Sequence, residues 1–154
     1  MGAELKAFSF FVLPNNVTGG TAIVLTPAPQ SIAAFTISTS GSDLVSLFGT
    51  VGWQAVVDQG GQVQKVDVIF EMWRGAVGTG ELIFRVIDSA QATNQLGQLF
   101  DNLRVTTLKH IDKRFQSSSS SVYTLSARLG TGGASAATVI GPITYFGEAI
   151  KNGN

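Results

Sequence analysis

The sequence predicts an all-β fold, a two-sheet antiparallel β-sandwich of jelly-roll type. Three observations carry this. Lys65–Trp73 alternates: Val66, Val68, Phe70 and Met72 are apolar, while Lys65, Asp67 and Glu71 are charged. That period of two is the mark of a half-buried strand. Between Ser31 and Gly141 there is no proline, as interior strands require. About nine strand-length runs are separated by Gly-, Ser- and Asn-rich turns, and none has a helical period.

In chain order, residues 1–30 read as an N-terminal arm and residues 31–154 as the sandwich domain. Leu5–Leu13 is strand-like and apolar on both faces, with Phe8, Phe10 and Val12 on one side and Phe11 and Leu13 on the other. Pro14, Gly19-Gly20 and Pro27-Ala28-Pro29 punctuate the arm. A strand apolar on both faces needs cover on both, so Phe8, Phe10, Phe11, Val12 and Leu13 are candidate subunit-interface residues. Two arrangements supply that cover. The arm is donated to a neighbour's sheet edge, or it is the first strand of its own sheet with its outer face covered in a compact oligomer.

Ile32–Ser38 follows as a strand. Leu44–Val57 is long, and Gly49 and Gly52 predict a bulge or bend within it. Lys65–Trp73 is the expected central strand, with Ile69 and Trp73 implying partial cover of its outer side. Its inner residues are expected to pack with Leu82, Phe84, Tyr123 and Leu125. Ser89–Gln98 reads as a loop or a helical turn, Leu103–Phe115 as an exposed strand, and Gln116–Ser121 as a flexible connection. Val122–Leu129 alternates cleanly. Thr138–Ile150 is the last strand, with a bulge at Gly141-Pro142.

Charged residues make up 13% of the chain, against about 25% in ordinary soluble domains, and ten basic residues balance ten acidic ones. Such a surface has little self-repulsion and favours association. The chain has no cysteine, which removes disulfides and thiolate metal sites. No apolar run approaches the ~18 residues of a membrane span, so no membrane insertion is expected. Ala7–Leu13 is too short for a signal-peptide core and is followed by no small-x-small site, so it is read as part of the fold.

Catalytic patterns are missing. His110, the single histidine, is expected to be solvated. No Gly-x-Ser-x-Gly elbow accompanies it. Asp67 and Glu71 share one strand face and are expected to meet cations across the sheet. Gly130–Ser135 lacks the Gly-Lys-Ser/Thr and following helix of a phosphate loop. Arg104–Arg128 holds five Lys/Arg and one Asp, but the neutral total argues against nucleic-acid binding. No catalytic residue, cofactor or metal is assigned.

Three further stretches carry a resemblance. Gly49-Thr50-Val51-Gly52-Trp53-Gln54-Ala55, Val122-Tyr123-Thr124-Leu125-Ser126-Ala127 and Gly141-Pro142-Ile143-Thr144-Tyr145-Phe146-Gly147 occur in this order. Their aromatic-glycine texture resembles the tumour-necrosis-factor/C1q-like jelly rolls of bacterial endospore surface proteins, including those of the exosporium. The resemblance covers roughly residues 32–150 and leaves out the arm. It implies a non-enzymatic structural subunit that self-assembles into a trimer, layer or fibre on a spore or cell surface. Copies of the chain are then its partners. The chain has no collagen-like Gly-x-y stalk. The other functional expectation is a trimeric lectin-like or phage receptor-binding module, for which Trp53 and Trp73 on one concave face would be the natural pair.

Overall fold

A computed structural model describes residues 4–13, 22–40, 43–57, 64–92, 102–113, 119–130 and 135–151. These residues form nine strands. They are β1 (Glu4–Leu13), β2 (Ile23–Val24), β3 (Gln30–Thr39), β4 (Asp43–Val57) and β5 (Gln64–Arg74), then β6 (Glu81–Ala92), β7 (Leu103–Lys113), β8 (Ser119–Leu129) and β9 (Ser135–Lys151). One sheet has the order β1-β9-β4-β7, with the short β2 also on β9; the other has the order β3-β8-β5-β6. All pairings are antiparallel. Setting β2 aside, the pairs β1–β9, β3–β8, β4–β7 and β5–β6 are nested, first strand with last and so inward. Nested pairs rolled into two facing sheets are the jelly roll.

The alternation of β5 sets one wall of the core. Val66, Val68, Phe70 and Met72 are buried, facing the other sheet. Tyr123, Leu125 and Ala127 of β8 lie beside them, with Phe35 and Ile37 of β3 beyond. The opposite wall is Val45, Leu47, Val51 and Trp53 of β4, Leu108 of β7, and Val139, Ile143, Tyr145 and Ala149 of β9. Phe35 links the walls, its ring 4.9 Å from that of Tyr145 and 5.8 Å from that of Tyr123.

Several details differ from the sequence reading. Leu82 is exposed: the pairing of β5 with β6 slips between Met72 and Trp73, so Phe84 faces Met72 inward while Leu82 lies outside opposite Trp73. A one-residue slip moves a side chain to the other face. The β4–β9 pairing is irregular at Gly52, between Val51 and Trp53, as the glycine implied, although β4 stays in one sheet throughout. The irregularity lies in β9 at Gly141-Pro142, where pairing jumps from Val51↔Ile143 to Trp53↔Val139. A Cβ at Gly52 would overlap the Gly141 carbonyl, so the glycine is where β4 admits that bulge. Ser89–Ala92 continue β6, and Ser119–Ser121 continue β8 against Ile37–Thr39. Residues 93–98, 116–118 and 131–134 lie outside the described residues.

Residues 4–13 form the outermost strand of the first sheet, paired with β9 of the same chain from Glu4↔Lys151 to Leu13↔Ile143. Pro14 and Gly19-Gly20 lie outside the described residues. The Pro27-Ala28-Pro29 joint is held at its start: Leu25 N donates to Ala137 O in one sheet, and Leu129 N in the other donates to Thr26 O.

Truncating Phe70 to Ala removes a fully buried ring and should cost ~3–5 kcal/mol in urea unfolding. A loss below ~1 kcal/mol would place Phe70 outside the core. Gly52→Ala should also destabilise, by at least ~2 kcal/mol, because the obstacle is backbone that a rotamer change cannot move.

Candidate subunit interface

The outer face of the β1-β9-β4-β7 sheet can be read row by row from the register. One row is Leu5–Ile150–Leu44–Lys113 and the next is Phe8–Glu148–Ser46–Ile111. The third is Phe10–Phe146–Phe48–Lys109 and the fourth Val12–Thr144–Thr50–Thr107. Beyond the β9 bulge comes Val24–Thr138–Gln54–Leu103. The upper rows are rich in apolar and aromatic side chains. Phe8, Phe10 and Val12 are 52%, 61% and 51% exposed. Leu5, Val24, Leu103, Val105 and Ile111 are exposed as well.

The rings form a continuous series. Phe10 and Phe146 each have their centroid 5.7 Å from that of Phe8. Phe146 stacks on Phe48 at 4.9 Å, and Lys109 Nζ sits 5.2 Å above the Phe48 ring. Four strands thus contribute to one apolar surface. Single exposed apolar residues are ordinary, and a contiguous patch is a candidate binding surface.

Of the residues singled out from sequence, Phe8, Phe10 and Val12 point outward on this face. Phe11 turns inward and packs against the core, and the side chain of Leu13 lies outside the described residues. Phe48, Phe146, Val105 and Ile111 join the patch without having been singled out. Phe48 and Phe146 belong to strands read for their glycines, Val105 and Ile111 to one read as exposed, and only the register brings them beside β1.

The outer face of the other sheet is built differently. Glu71 is 1% exposed and is surrounded by donors. Arg85 Nε donates to Glu71 Oε1 at 2.8 Å, and Arg128 Nε and Nη2 donate to the same oxygen at 3.3 Å. Ser126 Oγ lies 3.4 Å from Oε2 and accepts from Trp73 Nε1 at 2.9 Å. Asp67 accepts from Ser89 Oγ at 2.5 Å and pairs with Lys65 at 3.0 Å. The Ser89 hydroxyl, and then Lys65, hold the Asp67 carboxyl below its ordinary range. Glu71 therefore meets cross-strand cations, as the strand pattern implied. Asp67 instead meets a hydroxyl across the strands and a lysine of its own strand.

Polar side chains also cross the gap between β6 and β7. Trp53 Nε1 donates to Thr106 Oγ1 at 2.8 Å, and that hydroxyl donates to Asp88 Oδ2 at 2.5 Å. Arg104 Nε donates to the Ser89 carbonyl at 3.1 Å. At the end of the sandwich, Asp112 is buried and receives Arg74 through two nitrogens and Tyr123 OH at 2.6 Å. That hydrogen bonding raises the Arg74 pKa and keeps the guanidinium charged. Tyr145 OH is buried without a partner among the described residues. Burial, then the proximity of Tyr123 and Asp112, pushes its pKa well up.

His110 is half-buried on the inner face of β7, its ring 5.4 Å from Phe84, rather than solvated. Among the described residues, no group of three or more His, Asp and Glu could hold a metal. Trp53 lies in the core and Trp73 on the outer face of the opposite sheet, so they do not form an aromatic pair on one face. The basic residues of the 104–128 segment are likewise divided. Among the described residues Lys109 and Lys113 lie outside one sheet, Arg128 outside the other and Arg104 inside, so these four form no single basic face; Arg114 lies outside the described residues. No described helix could span a membrane.

In comparisons with known proteins, the chain matches no family model and no curated sequence.

Asp112→Ala should cost about 3 kcal/mol, since it leaves the Tyr123 hydroxyl and the Arg74 guanidinium without their shared acceptor. Urea unfolding checks this; a change under ~0.5 kcal/mol would remove the bridge from the account of stability. Tyr145 has a raised folded pKa, so its contribution is complete below pH 10.0 and is lost as pH rises past the unfolded value. Absorbance titration should therefore show at most one of the two tyrosines ionised in folded protein at about pH 11. Ionisation of both without unfolding would contradict the buried position of Tyr145.

Proposed function

We propose that this protein is a non-enzymatic structural subunit that assembles with copies of itself. The observation that carries the reading is the exposed apolar face of the β1-β9-β4-β7 sheet, with its series of rings from Phe10 through Phe8 and Phe146 to Phe48. Covering that face removes apolar surface from water at roughly 25 cal/mol per Å². The opposite outer face exposes Leu82, Ile87 and Val122, but its charges are internally paired around Glu71 and Asp67 and no ring series runs across it among the described residues. Zero formal net charge leaves little long-range repulsion between copies. β1 pairs with its own β9, which favours an oligomer built by face contact over one built by strand donation. The assembled form is an oligomer, a layer or a fibre. Its location on a bacterial spore or cell surface rests on the resemblance of residues 49–55, 122–127 and 141–147.

Sedimentation velocity tests the assembly. The chain should sediment as an oligomer at micromolar concentration, and Phe10→Asp should sediment as a folded monomer of 16.1 kDa. The substitution buries a charge against rings in the complex and should weaken association by at least ~30-fold. A wild-type chain that stays monomeric would overturn the reading. Antibody labelling of intact spores or cells of the producing organism tests the location, and label confined to the cell interior would exclude it.

A further inference from the structure

We infer that contact between copies is keyed by a charge pair across the interface, with Glu148 of one copy against Lys109 of the next. This rests on the assembly reading above and specifies its register. Glu148 lies inside the apolar face, in the row Phe8–Glu148–Ser46–Ile111. The rows above and below it contain Phe146 and Ile150. It is half-buried and makes no salt bridge among the described residues. Elsewhere Glu71 is held by two arginines, Asp112 by Arg74 and Tyr123, and Asp88 by Thr106, while Asp43, buried on the inner side of β4, accepts from Ser40 N through Oδ2 and has no partner at Oδ1 among the described residues. Unlike Asp43, Glu148 lies on the outer face, where a second copy would shut out water.

A carboxylate desolvated without a partner opposes association strongly, so whatever covers this face must bring a cation to it. The occupant that supplies one is a second copy. On the same face, the β7 margin carries Lys109 and Lys113, neither in a salt bridge among the described residues. Within one chain, β4 separates β7 from β9, and Lys109 belongs to a different row from Glu148. The pair therefore forms between copies. Lys109 is the better placed of the two lysines, because its ammonium already lies over Phe48 within the aromatic row. Neighbouring copies then stack their aromatic rows with the β7 margin of one over β9 of the other. Unlike charges in that register admit it, and like charges oppose registers that bring Lys109 over Lys113.

The test is a charge exchange read by sedimentation equilibrium on the full chain, with urea unfolding as the check on folding. Glu148→Lys and Lys109→Glu should each weaken association at least tenfold. The double exchange should return it to within about fivefold of wild type, the shortfall reflecting the lost contact between Lys109 and Phe48. Lys113→Glu should weaken association less than Lys109→Glu does. A double variant no better than the worse single one would overturn the pairing, as would Glu148→Lys associating like wild type. If Phe10→Asp dissociates the oligomer while the exchange fails, only the pairing falls. If wild-type protein is monomeric throughout, both the pairing and the assembly reading fall.

Discussion

The structure depends on the register of β9. This strand pairs with β1 and β2 on one side and with β4 on the other, so it fixes three neighbours at once. Successive side chains alternate between faces, and a slip of one residue would turn Tyr145 and Ile143 to solvent and Phe146 to the core. Two features hold the register. Gly147 lies against Phe35 and Leu47 where a Cβ would come within 2.6 Å of the Phe35 ring, so a side chain cannot be substituted there without displacing the core. The bulge at Gly141-Pro142 restores the alternation beyond the irregularity, with Val139 and Ala137 again buried. Because first and last strands are adjacent in nested pairing, this register also brings the aromatic residues of both chain ends onto one surface.

The result is a sandwich whose two outer faces differ in kind. Both sheets have an apolar inner side, which is ordinary for packed sheets. On the outer side of the β3-β8-β5-β6 sheet, charges and hydroxyls satisfy one another across strands, and Ile69 is covered within that surface. On the outer side of the β1-β9-β4-β7 sheet, rings meet rings and threonines occupy the lower rows. An edge strand such as β1 is usually blunted by charge or proline. Here Glu4 and Lys6 pair at its start, and the remaining outward positions are apolar. The second sheet also exposes Leu82, Ile87 and Val122, but there the paired charges around Glu71 interrupt the apolar surface, whereas the first sheet has the ring series.

The buried polar groups show how the sandwich is closed. Sheets facing each other across an apolar core have an open side wherever their edge strands do not share hydrogen bonds. Between β6 and β7 that side is spanned by Asp88, Thr106 and Trp53, and by Arg104 on the Ser89 carbonyl. Near the end of β5, Arg74 reaches Asp112 on β7 and so ties one sheet to the other. Paired as they are, these groups contribute to the orientation of the two sheets, and bonds of this kind weigh most where water is excluded.

The sequence by itself determined the fold class and most strand positions. Alternation in Lys65–Trp73 and Val122–Leu129 is a local property, set by the period of an extended chain and by which residues seek burial. The same pattern identified Phe8, Phe10 and Val12 as one face of β1, and placed Asp67 and Glu71 on one side of β5. Tertiary structure decided what alternation alone does not encode. Leu82 went outside because a slip between β5 and β6 shifted the register, and Ser119–Ser121 became strand because β3 offered them a partner. Glu148 and Lys109 lie far apart in the chain, and nothing local in either segment marks them as members of one face. Pairing of β9 with β4 and of β4 with β7 put them there, since cross-strand contacts are set by the global order of strands and not by sequence near each residue.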